Sequence, residues 1–198
     1  MMKNLIATLF LAALVSVSAA QTSHLKFKGI PIEGTLNSFV QQLRAKGFSY
    51  IGTQDGIAVL NGEFAATKGC TVGVTRFSDR DQVNQVVVVF PKKDTWSGIS
   101  QSYFSLKELL TEKYGTPESS ETFSNYVPSS DNSKFYAILE DECHYISVFT
   151  AEDGKVQLTM KRQPDEGYSD IYTKAAVVLK YIDNANADET RKKVMDDL

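Results

Sequence analysis

The 198-residue chain has little of what usually makes chemistry legible: two cysteines, two histidines and one tryptophan. A Ser or Cys nucleophile needs a base that tertiary structure holds beside it. With two histidines, and His24 close to the start of the folded region, His144 would have to serve alone. Two cysteines are too few for a disulfide-scaffolded mini-protein, so the fold must rest on its core. No glycine-rich phosphate loop is present. Nor is there an excess of positive charge: 21 basic residues face 24 acidic ones, a net −3. That balance argues against a nucleic-acid partner, which asks for a basic face. After the first 20 residues no stretch is apolar enough to cross a membrane.

What the chain does have begins at its first residues. Lys3 supplies a positive n-region, and Leu5 to Val17 is apolar apart from small residues such as Thr8 and Ser16. Ser18-Ala19-Ala20 then places small side chains at the minus-three and minus-one positions, before Gln21. This is the pattern of a secretory signal cleaved after Ala20. The apolar run is shorter than the about 20 residues a helix needs to span a bilayer. The expectation is a secreted or periplasmic protein with no transmembrane segment in its mature chain.

Leu25 to Lys28 alternates as a short strand, ended by Ile30-Pro31-Ile32 and Gly34. Thr35 can cap a helix in which Leu36, Phe39, Val40 and Leu43 form one stripe, stopped at Gly47. Strands are expected at 57–64, 70–77 and 83–90, with the apolar run Val86 to Phe90 as the most buried. A second helix is expected after Ser97 or Ser100, with Tyr103, Leu106 and Leu110 on one face and Pro117 preventing its continuation. Residues 118–133 read as a long exposed connection. Strands are expected again at 135–139, 143–150 and 155–161, the last two joined by the hairpin signal Asp153-Gly154. Residues 175–182 read as strand from their β-branched and aromatic second half, and 189–198 as a closing helix capped by Asp188.

The pattern repeats: each half runs helix, then three strands. Gly69-Cys70-Thr71-Val72 aligns with Glu142-Cys143-His144-Tyr145, and Ala45-Lys46-Gly47 with Lys113-Tyr114-Gly115. The fold class expected is α+β, with tandem helix-plus-antiparallel-sheet repeats, about eight strands and two layers. The division is a signal peptide at 1–20, a first αβββ repeat at 21–94, and a second at 95–198 with a C-terminal strand and helix. Cys70 and Cys143 fall at matching positions of an exported chain, so a disulfide between the halves is expected. One simple meander would place other strands between them, beyond the about 7 Å a bridge allows. The bridge therefore requires another sheet order or an approach across a pseudo-two-fold axis.

Phe64-Ala65, Gly69-Cys70-Thr71-Val72, Asp94-Thr95-Trp96, Lys113-Tyr114-Gly115-Thr116-Pro117, Cys143-His144-Tyr145 and Tyr181-Ile182-Asp183 resemble landmarks of a group of small secreted bacterial proteins of unknown function. The tandem plan also resembles, at the level of fold, the beta-lactamase inhibitory protein, a two-repeat binding protein, and the small outer-membrane assembly lipoproteins. Those fold-level likenesses carry no residues across.

Glu140-Asp141-Glu142-Cys143-His144 gathers carboxylates, a thiol and an imidazole. Neighbouring strand residues point to opposite faces, so Cys143 and His144 cannot readily share an ion. No metal and no cofactor is expected. Trp96, just before a helix, is expected to pack beneath it rather than to serve as a binding anchor. Tyr126, Tyr136 and Tyr145 are the candidate aromatic patch on a sheet face. The expected function is a non-enzymatic binding module meeting a protein or glycan of the cell envelope or exterior. The alternatives are a hydrolase using carboxylates near 118–142 and a structural accessory of the envelope.

Overall fold

The computed structural model describes residues 23–124, 128–164, 173–196 and 198. The expected leader at 1–20, the new terminus Gln21 and Tyr126 lie outside them.

The chain opens with a two-stranded hairpin, β1 (Lys26–Phe27) and β2 (Ile30–Pro31). Helix α1 (Leu36–Ala45) follows, and the Thr35 hydroxyl accepts from the Ser38 amide at 3.3 Å, as a capping residue does. All four residues of the expected stripe are buried. A meander of four strands comes next: β3 (Ser49–Gln54), β4 (Ile57–Phe64), β5 (Thr67–Arg76) and β6 (Val83–Val89). The second half repeats the plan with an insertion. Helix α2 (Trp96–Tyr114) leads to β7 (Glu118–Phe123), helix α3 (Asp131–Leu139), and strands β8 (Cys143–Ala151), β9 (Gly154–Gln163) and β10 (Lys174–Asp183). Helix α4 (Asn184–Asp196) closes the fold.

The eight long strands form one antiparallel sheet in the order β3-β4-β5-β6-β10-β9-β8-β7. Each half runs from an outer edge to the centre, and the halves meet where β6 pairs with β10, Val88 opposite Leu179. The order is that of a pseudo-two-fold axis between β6 and β10. The fold is therefore α+β with tandem helix-plus-sheet repeats, as the sequence implies, although each repeat carries four strands rather than three.

Several local readings are corrected. Residues 135–139 are helical, not a strand: Ser130 caps α3 through the Ser133 amide at 3.2 Å, and Phe135, Ile138 and Leu139 are buried at helical spacing. The exposed connection at 118–133 contains edge strand β7, whose Ser-, Glu- and Thr-rich sequence is held by its ladder to β8. Thr95, rather than Ser97 or Ser100, caps α2, accepting from the Gly98 amide at 3.3 Å. Helix α4 starts at Asn184 and is capped by Asp183, not Asp188. Strand β6 is not buried on both sides: Val86 and Val88 are fully buried while Val87 and Val89 are half-buried.

That alternation holds across the sheet. Leu60, Val72, Val88, Leu179 and Leu158 lie side by side in register, and every one is buried. They share one core with Phe27 and Phe48, with Leu36 and Phe39 of α1, Ile99 and Tyr103 of α2, and Phe135 and Ile138 of α3. The helices thus cover one face. The adjacent row, Val59, Gly73, Val87, Lys180, Gln157 and Val148, is only half-buried. The fold is two layers, helices on a sheet, and no described residue covers the second sheet face.

Candidate functional site

Among the described residues, the polar cluster beneath α2 and the open sheet face are the candidate sites.

Beneath α2, the Tyr103 hydroxyl lies 2.7 Å from the Ser147 hydroxyl, and Ser119 lies 2.9 Å from the same Ser147 oxygen. Tyr145 donates to the Glu121 carboxylate on β7. Trp96 packs 5.4 Å from the Tyr145 ring, with the Lys134 ammonium 5.3 Å from its own centroid. Trp96 therefore leans on the core, as the sequence implies. Burial and the neighbouring Glu121 charge push the Cys143 thiol up to about 12. Burial, then the Glu121 hydrogen bond and charge, raises Tyr145 further, and burial raises Tyr103 against the lowering pull of Ser147. These groups stay neutral at pH 7, where a thiol or hydroxyl is a poor nucleophile. The cluster fastens α2 to the outer strands β7 and β8.

The tyrosine patch does not assemble on one sheet face. Tyr136 stands 64% exposed on helix α3, whereas Tyr145 is buried on β8 with its ring turned towards the helices. Tyr136 instead lines a hollow of about 190 Å³ with Phe123, Pro128, Ala137, Glu140 and Glu142. This is where the carboxylate alternative would sit, but small-molecule sites run from about 300 to 1,000 Å³.

The disulfide expectation is overturned. Cys70 lies on β5 and Cys143 on β8, with β6, β10 and β9 between them. Four steps of about 4.8 Å put the strands about 19 Å apart, far outside the reach of a bridge. Both cysteines are free and buried. They also occupy unequal places, since β5 is the third strand of its meander and β8 the second. The missed strand β3 is what made them look equivalent. His144 is half-exposed on the face opposite Cys143, 3.9 Å from Asp141.

The open face went unread in the sequence. Its centre, from the register, is Val87 and Val89 of β6, Ala176, Val178 and Lys180 of β10, Gln157, Thr159 and Lys161 of β9, and Ile146 and Val148 of β8. Ala176 and Thr159 are buried there among their strand neighbours, yet belong to no part of the helix-side core. The aliphatic side chains are short and lie low between longer lysines and glutamines. Such a surface excludes water over a broad area when another surface meets it. Strands β6 and β10 carry near-continuous apolar runs, Val86 to Val89 and Ala175 to Leu179, so no period-two alternation marked the face. Set against known protein families, curated proteins and solved structures, the chain matches none.

Proposed function

We propose that this protein is a non-enzymatic binding module working outside the cytoplasm, and that the open face of its sheet is the surface that meets the partner. The observation that carries the reading is the contrast between the two sheet faces. One is covered by helices α1, α2 and α3 and the β1–β2 hairpin; the other leaves valines and isoleucines of β6, β8 and β10 half-buried, with no described residue over them. A sheet this wide with one bare apolar-centred face is built to be covered. The neutral, buried state of the Cys143 thiol and the tyrosines beneath α2 supports a scaffold rather than a catalyst.

The export half of the proposal rests on the leader pattern at 1–20. Mass spectrometry of the protein from its native host should find Gln21 as the first residue, and an intact Met1 on the exported product would contradict it. The binding half is tested with Val87→Arg and Ile146→Arg on the open face, beside Phe104→Arg on exposed α2. The first two should abolish capture of the partner from the host's envelope fraction and the third should not. Equal capture by all three variants would contradict the open-face reading.

A further inference from the structure

We propose that the partner seated on the open face is an acidic protein segment, one whose carboxylates flank a short apolar stretch; this rests on the open-face reading above.

The chain as a whole is acidic, net −3, but its acidity is not on this face. By register the strand positions of the open face carry Lys155 and Lys161 on β9 and Lys174 and Lys180 on β10. Among the described residues, the carboxylates at those positions are Glu63 on β4 and Glu118 on edge strand β7, both away from the β9–β10 lysines. Among the described residues, Lys155, Lys161 and Lys180 make no ion pair, whereas Lys174 is already engaged and borders a helix-side hollow with Asp94 and Phe135, which leaves the other three to meet a partner's charge.

The lysines fall into two pairs. Lys155 faces Ile182 while Lys180 faces Gln157, so Lys155 and Lys180 are diagonal neighbours across β9 and β10. Lys161 faces Ala176 and Lys174 faces Gln163, so these two are diagonal neighbours at the other end. Side chains so placed are about 7–8 Å apart. From Lys155 to Lys161 is six strand residues, about 20 Å at about 3.4 Å per residue. Between the pairs lie Ala176, Val178 and Thr159, with Val87, Val89, Ile146 and Val148 on either side. The pattern is cation, apolar floor, cation, and its complement is carboxylate, apolar ridge, carboxylate.

The same pattern argues against the other polyanions. Glycan sites stack sugar rings on aromatic side chains, and the open-face strand positions carry no Phe, Tyr or Trp. Surfaces that enter a bilayer present protruding apolar wedges. Of the large exposed apolar residues, the register places Ile57 on the open face, and Ile51 lies in the β3 bulge between Tyr50 and Gly52; both are on the outer strands, away from the lysines. A low apolar floor between lysines suits the packed core and charged rim of a protein interface.

The test uses the mature protein with labelled Val and Ile methyls, titrated with a synthetic peptide, Glu-Glu-Val-Thr-Val-Thr-Val-Glu-Glu. Its controls are the peptide with Gln for Glu, polygalacturonate, and phosphatidylglycerol–phosphatidylcholine vesicles. The acidic peptide should shift Val87, Val178, Ile146 and Val148 and leave Val72 and Val86, on the helix side, unmoved. Affinity should fall at least about tenfold with the Gln peptide, with the Lys155→Glu/Lys180→Glu variant, and in about 500 mM salt against about 50 mM. The salt series uses the native chain and so stands even if the variant fails to fold. Equal binding of the Gln peptide at the same methyls would overturn the acidic partner and leave the open-face reading intact. Tighter binding of polygalacturonate or vesicles would overturn the choice of protein. No shift at those methyls with any probe would overturn both.

Discussion

Asp183, the last residue of β10, accepts a hydrogen bond at 2.6 Å from the backbone amide of Leu25, 158 positions earlier in the chain. The same carboxylate takes the Asn186 amide at 2.9 Å, capping α4, and His24 Nδ1 stands 3.1 Å from it. Its side chain has no exposed surface. One buried carboxylate thus ties the start of the folded chain, the central strand of the sheet and the last helix together. Asn186 continues the tie, donating to the Ile32 carbonyl at 2.9 Å.

Asp183→Ala would orphan the Leu25 and Asn186 amides in a site closed to water. Each unsatisfied buried donor costs about 1–3 kcal/mol. The variant should lose about 3 kcal/mol in urea denaturation, and a change within the error of the fit would refute the hub.

The β4–β5 turn is formed by Ala65 and Ala66, both at positive φ, 47° and 58°. The β3–β4 turn makes the same bend with Asp55 and Gly56, the pairing that such tight turns favour. A non-glycine residue in the left-handed region costs about 1–2 kcal/mol. Ala66→Gly should therefore stabilise the protein by roughly 1 kcal/mol, part of that strain being offset by the glycine's freer unfolded chain. A thermal melt reads this directly, and a lower melting temperature would contradict the turn geometry.

Both cysteines should be found as thiols. Alkylation of the protein under denaturing, non-reducing conditions should label Cys70 and Cys143 in full, followed by mass spectrometry. A pair resistant to label until reduced would contradict the sheet order, since four strand spacings separate them.

Stability should fall at alkaline pH. The folded Cys143 thiol titrates near 12 against an ordinary value of 9.0, so the native state holds a proton that the unfolded chain releases. The stabilisation is whole below pH 9 and is lost as pH rises towards 12. Between those values this group alone gives a slope of about −1.4 kcal/mol per pH unit. Cys143→Ala should flatten the measured slope by about that amount, and an unchanged slope would show that the thiol is not so buried.

What the sequence made legible was what period and caps encode locally. The α1 stripe from Leu36 to Leu43, the Thr35 cap and strand β4 are read almost to the residue. Strand β3 escaped because Ser49 to Gln54 is an exposed edge with a bulge between Tyr50 and Gly52, so no alternation marks it. The Asp55-Gly56 turn was its signal. Strand β7 escaped because polar edge strands look like loops, and α3 because Phe135 to Leu139 is too short for period to decide. The open face was hidden for a different reason. Its rows join Val87, Lys180, Gln157 and Val148, which are brought together by the pairing of β6 with β10 across the halves. Pairing at that separation leaves no local trace.

The most direct test of the central claim is site-specific photo-crosslinking in the native host. A photoreactive phenylalanine analogue is placed at Val178, on the open face, or at Leu109, exposed on α2. The account predicts a discrete crosslink to another macromolecule from position 178 and none from position 109. A crosslink from 109 alone, or from neither position, would contradict it.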